Sequence, residues 1–126
     1  MRAVDTNVVL RLLVQDDARQ LASAEAFVEP GAWVPLLVLA ETVWVLDTIY
    51  HLKPPELAQA IEMLLDHRQL TLQSRDVVSA ALGIFRKRPA LGFSDCLILE
   101  SANAAGHLPL GTFDRSLGKV EGTHKL

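Results

Sequence analysis

The chain has 126 residues and a single cysteine, Cys96. No internal disulfide framework is possible, and a lone thiol suits the cytoplasm. Long hydrophobic runs are missing as well. The longest uncharged apolar stretch, Ala32 to Ala40, is about half a membrane span and contains Pro35, so no membrane helix is expected. Met1-Arg2-Ala3-Val4 leads straight into Asp5 without the apolar core of a secretory signal. There is no excess of positive charge: the formal net charge is −3, which argues against broad electrostatic binding of nucleic acid. Aromatics are scarce, at 6% of residues, and Trp33, Trp44, Phe27, Phe85 and Phe93 fall mostly in core patterns. They offer no evident platform for stacking bases. His51, His67, His107 and His124 share no ligand spacing, so surface or loop roles are expected of them. Repeats, low-complexity tracts and long linkers are also lacking.

What is present describes a soluble globular chain. Half the residues are hydrophobic and 21% are charged. The length suits one domain over residues 1–126, large enough to bury roughly two-thirds of its unfolded surface.

Apolar patterning predicts strands alternating with helices. Strand candidates are Arg2 to Val4, Ala32 to Pro35, Leu70 to Leu72, Leu108 to Gly111 and a short one around Val120. Helices are predicted over Val8 to Leu13, Ala18 to Val28, Leu37 to Tyr50, Pro54 to Asp66, Val77 to Lys87 and Ser94 to Ala105. Leu21, Ala24 and Val28 form one face of the second helix. The third is apolar almost all round and should lie buried. Leu57, Ile61, Leu64 and Leu65 stripe the fourth. Pro89 to Phe93 reads as a loop and Asp114 to Leu117 as a single turn. This order implies an α/β fold, a three-layer α/β/α sandwich around a mainly parallel sheet of four to five strands.

Four carboxylates stand in apolar or turn-forming frames: Val4-Asp5-Thr6-Asn7, Ala40-Glu41-Thr42-Val43, Ser94-Asp95-Cys96-Leu97 and Phe113-Asp114-Arg115. Charge among apolar neighbours is costly unless paired. Each of three has an ordinary explanation. Asp5 could cap the first helix, Asp114 could cap the turn that follows it, and Asp95 lies in a first helical turn, where the dipole favours an acid. Glu41 is past the first turn, and no basic residue lies between Arg19 and Lys53. One hard divalent cation, Mg²⁺ or Mn²⁺, would account for all four, because such ions take oxygen ligands and remove the repulsion among acids. Metal ligands would be Asp5, Asp95 and Asp114, with Glu41 completing the acidic ring. Thr6, Asn7 and Thr112 are candidates for orienting the acids. Arg11, Arg86, Lys87, Arg88 and Arg115 are candidates for contacting phosphates, although a basic helix end such as 86–88 is also favoured by the dipole.

The ordered set of motifs resembles the PIN-domain ribonucleases, and most closely the VapC toxins of bacterial toxin–antitoxin pairs. The resemblance runs through Val4-Asp5-Thr6-Asn7-Val8-Val9-Leu10, Leu39-Ala40-Glu41-Thr42, Phe93-Ser94-Asp95-Cys96-Leu97-Ile98 and Thr112-Phe113-Asp114-Arg115. It implies an α/β/α sandwich, usually homodimeric, that uses Mg²⁺ or Mn²⁺ to cut single-stranded RNA. It also implies a VapB-like antitoxin that wraps the toxin and blocks its site. Cys96 stands where alanine is frequent, and a lone buried cysteine acts as a small hydrophobe; Glu100, one turn plus one residue beyond Asp95, could approach the site, but a solvated or structural role is expected of it. Two other readings compete. One is a non-catalytic PIN-like module acting through a partner. The other is a phosphatase with Asp5 as nucleophile, disfavoured because Asn7 stands where a second acid belongs. The predicted helix 37–50 and the stripe on the helix 55–66 could supply a dimer face or simply be core.

Overall fold

The computed structural model describes all 126 residues and divides them into two compact units, residues 1–75 and 76–126. In the first unit, β1 (Arg2–Ala3), β2 (Ala32–Val34) and β3 (Leu70–Leu72) form a parallel sheet in the order β1-β2-β3. The alternating apolar side chains of β2 and β3 are buried, Ala32 and Val34 in one and Leu70 and Leu72 in the other. The ladder continues one step beyond β1, where the Val4 N–H donates to the Trp33 carbonyl at 3.1 Å. Asp5 therefore leaves the sheet at the carboxyl edge.

Four helices accompany this sheet: α1 (Thr6–Leu13), α2 (Ala18–Val28), α3 (Leu36–Thr48) and α4 (Pro54–Asp66). Their starts follow capping chemistry. Asp17 Oδ1 accepts the Gln20 N–H at 3.0 Å, and Glu56 Oε1 accepts the Lys53 N–H at 2.9 Å ahead of Pro54. α3 follows Pro35, which has no capping side chain, and Gln73 from beyond β3 accepts the Leu36 N–H at 2.7 Å instead. That distant cap anchors the helix bearing Glu41. α1 packs on α2 and α3, and α4 packs on α3 and β3. Leu39, Leu46, Ile61 and Leu64 are nearly inaccessible at the centre of this packing.

The second unit holds α5 (Arg75–Lys87, entering from the first unit's last residue), α6 (Phe93–Ala105), β4 (Leu110–Thr112) and β5 (Thr123–Lys125). Phe85 and Phe93 meet edge to face, 5.9 Å between centroids, and pin the start of α6 on α5 two residues before Asp95. α6 ends at Gly106, whose φ of 81° is the left-handed conformation that glycine adopts without penalty.

Several expectations need correction. The strands do not make one sheet of four to five. There is a three-stranded sheet, and β4 and β5 form a second, two-stranded parallel one. Pro109, without an N–H, delays β4 to Leu110, whose N–H is taken by the Gly122 carbonyl at 2.9 Å. α3 is not buried all round. Leu39, Thr42, Val43 and Leu46 face inward, whereas Leu37 is 81% exposed, Trp44 56% and Ile49 61%. Its neighbours α1 and α4 do not cover its whole circumference, so uniform apolarity did not translate into uniform burial. The loop 89–93 contains a 3₁₀ turn, Pro89–Leu91, and Phe93 already belongs to α6. The fifth strand begins three residues after Val120. No helix is long and apolar enough to cross a membrane.

Candidate metal centre

In the first unit, Asp5 stands at the turn from β1 into α1 with extended backbone (φ −96°, ψ −179°), and its Oδ1 accepts the Val8 N–H at 3.2 Å. It is thus the helix cap that one sequence reading allowed, with its other oxygen unengaged. Glu41 projects from the second turn of α3 on the exposed side, flanked a turn away by Leu37 and Trp44. The Thr6 hydroxyl donates to Glu41 Oε1, tying the first residue of α1 to α3 across 35 positions of sequence. Asp5, Thr6, Asn7, Leu10, Glu41 and Val45 line one cavity of about 360 Å³. The structure therefore brings Asp5 and Glu41 to one place, with the Thr6 hydroxyl bonded to Glu41.

In the second unit, Asp95 is the third residue of α6 and is half-buried. Burial raises its pKa above the usual carboxylate value, and the charge of Asp114 raises it further. These two acids thus feel one another. Asp114 follows β4 and Phe113. Its Oδ1 accepts the Leu117 N–H at 2.7 Å, and its own N–H donates to the Thr112 hydroxyl at 3.0 Å. Thr112 fixes the turn that carries Asp114. Cys96 is fully buried, and burial followed by the neighbouring charge of Asp95 pushes its thiol up to about 11. It acts as a small hydrophobe, as its frame suggested. Glu100 accepts from the Asn103 amide at 3.3 Å, a local contact within α6.

The basic candidates divide. Arg11 is committed within its own unit: it pairs with Asp16 at 3.0 Å and donates to the Tyr50 hydroxyl at 3.2 Å, with its side chain 19% exposed. Arg86, Lys87 and Arg88 are exposed at the carboxyl end of α5, and Arg115 is exposed beside Asp114.

None of Asp5, Glu41, Asp95 and Asp114 forms a salt bridge with a Lys, Arg or His. All four offer hard oxygen donors, and one sits where a like charge already disfavours its ionised form. This donor chemistry fits a Mg²⁺ or Mn²⁺ ion, which needs few carboxylates and completes its shell with water and phosphate. Neither unit gathers three potential ligands by itself; the acids occur as the pairs just described.

Sequence reasoning missed a second cavity bordered by Asp5. It lies between α1 and α2, and Gln20, Ser23 and Phe27 form part of its wall. The spacing of those three residues, three and then four apart, marks one helical face and was the available signal. The inward face of α2 drew attention instead because it is apolar.

A comparison with protein-family models matches the PIN domain over residues 2–122. The chain belongs to the PIN-domain family, whose fold is of nuclease type and whose members typically use divalent metal ions. The match spans both units. A search of curated proteins returned no match.

Proposed function

We propose that the chain is a Mg²⁺- or Mn²⁺-dependent endoribonuclease cutting single-stranded RNA, the VapC-type toxin of a toxin–antitoxin pair. The observation that carries this reading is the set of four acids in PIN-motif frames, none of them neutralised by a basic side chain. Asp5, Glu41 and Asp114 are exposed, so water alone suffices to solvate them; what supports a role beyond folding is that all four acids stand in these frames and that Asp5 and Glu41 share one cavity.

Asp5, Asp95 and Asp114 would hold the ion. When bound, a divalent cation makes a water nucleophilic near neutral pH and offsets the charge that builds on the phosphate. Glu41 is the base: one of its oxygens is held by Thr6, and the other takes the proton of the attacking water. In-line attack breaks the P–O3′ bond and leaves 5′-phosphate and 3′-hydroxyl ends, with the proton passing to the departing oxygen. Asp5 and Asp114 each spend one oxygen on a backbone N–H, which locks the carboxylate while the second oxygen remains available.

The partners in this reading are a VapB-like antitoxin and a second copy of the chain. The exposed apolar residues of α3, Leu37 and Trp44, are the kind of surface such partners cover.

The test is cleavage of unstructured RNA with Mn²⁺, with and without excess EDTA, followed by end-group analysis. Metal-dependent cuts with 5′-phosphate ends are expected. Full activity in EDTA, or cyclic-phosphate ends, would refute the mechanism. Growth arrest on expression, relieved by the product of an adjacent reading frame, tests the toxin role separately.

A further inference from the structure

Asp5 borders two cavities, and the mechanism above uses only the smaller. The larger, about 570 Å³, opens between α1 and α2, with Asp5, Asn7, Arg11, Gln20, Ser23 and Phe27 in its wall. Its size is that of a small-ligand site, and such sites join apolar walls to a few placed polar groups. Phe27 supplies an aromatic surface and is half-buried, not sealed in the core. The Arg2 guanidinium stacks 3.8 Å from its ring centroid and donates to its carbonyl at 3.1 Å. Arg2 is not part of the cavity wall, so it braces the ring from outside and holds it in place.

Three neutral polar side chains share the wall with this ring, Gln20 and Ser23 beside it on α2 and Asn7 from α1. Asn7, Gln20 and Ser23 make no side-chain hydrogen bond within the protein, which leaves two amides and a hydroxyl free for a ligand. The charges here do not suit a free anion. Asp5 repels one, and the two terminal nitrogens of Arg11 are already engaged by Asp16 and Tyr50, which leaves only its buried Nε without a partner. A purely apolar ligand would strip water from the amides without replacing it. A flat heterocycle with donors and acceptors on its edge satisfies both the ring and the amides.

We propose that this cavity seats one unpaired nucleobase of the RNA, from a nucleotide next to the phosphodiester that is cut at Asp5. Phe27 stacks on the base, and Gln20, Ser23 and Asn7 read its edge. Because Asp5 lies in the walls of both cavities, a base held in the larger places its own backbone at the smaller. The pocket is thus a specificity element, and it rests on the nuclease reading given above.

The experiment digests a pool of random-sequence single-stranded RNA with Mn²⁺ and sequences the new 5′ ends, using wild type, Gln20→Ala, Ser23→Ala and Phe27→Leu. The same proteins are titrated in EDTA against a fluorescent RNA oligonucleotide, which reads binding without cleavage. Wild type should show a base preference at one fixed position from the cut. Gln20→Ala or Ser23→Ala should flatten the preference at that position alone. Phe27→Leu should weaken binding and raise KM by about tenfold, the size of one lost base stack. Gln20 and Ser23 are exposed, so folding is not at stake if Phe27→Leu proves unstable. Cleavage with the preference and affinity unchanged in every variant overturns the pocket and leaves the nuclease reading intact. RNA binding that depends on Phe27, in a wild type that never cleaves, overturns the nuclease reading and leaves the pocket. A wild type that neither binds nor cuts RNA overturns both.

Discussion

Replacing Asp5 by asparagine, serine and alanine separates the cap that its carboxylate makes from the metal-ligand role proposed for it. Oδ1 accepts the Val8 N–H at 3.2 Å, the long end of the normal range, so the cap is of ordinary or slightly low strength. Alanine removes it and should cost about 0.5–1 kcal/mol, the lower half of the usual capping range. For a chain of this size that is roughly 2–4 °C in melting temperature. Asparagine and serine retain a capping oxygen and lose only the charge–dipole interaction, about 0.3–1 kcal/mol at low ionic strength, which alanine loses in addition to the cap. Activity should follow a different order. All three variants remove an anionic ligand, and since outer partners of a metal site already cost ~10–100-fold, each should lose at least about 100-fold in Mn²⁺-dependent cleavage. Thermal melts in EDTA and initial rates on one RNA substrate measure the two effects side by side. If asparagine and serine keep full activity while alanine loses it, Asp5 matters only as a cap, and its place among the metal ligands falls.

The hydroxyl of Thr6 touches Glu41 at the surface, so Thr6→Val should leave melting within about 0.5 kcal/mol of wild type and lower kcat by ~10-fold or more; an unchanged kcat would show that Glu41 needs no such anchor. Asp95 titrates above the usual carboxylate value of 3.8, first through burial and then through Asp114. A raised folded-state pKa gives stability that is fully present below the unfolded value and is lost as pH rises through the folded one. The melting temperature of Asp95→Asn minus that of wild type, both in EDTA, should therefore increase with pH across this window; a flat or falling difference would contradict the placement. Cys96 is buried, so native protein should resist iodoacetamide and react only on unfolding; rapid native labelling, read by mass spectrometry, would contradict that burial.

Much of the local structure was legible because its causes are local. Asp17 before Ala18, Pro54-Pro55 and Gly106 mark helix ends by their own backbone chemistry, and the helices begin and end there. The start of α3 was read to within one residue although its cap, Gln73, lies 37 residues away, whereas α1 and α5 each begin two residues earlier than expected. The sheet was over-joined because pairing partners are chosen by the whole chain, and the strand candidates near residues 110 and 124 pair with each other. Composition misled on α3, whose exposed side keeps Leu37 and Trp44.

At the acids, capping and chemistry looked like competing explanations in the sequence, and the structure removes the competition. A carboxylate has two oxygens. In Asp5 and Asp114 one oxygen takes a backbone N–H, from Val8 and Leu117, which fixes the side chain against rotation. An unanchored acid would lose conformational freedom on meeting a ligand, and a capped one has already lost it on folding. Glu41 lies beyond the first turn of its helix and has no backbone donor to use, so the Thr6 hydroxyl holds it. Capping residues are thus well suited to serve as preorganised ligands, and finding a cap at a candidate site position does not count against function.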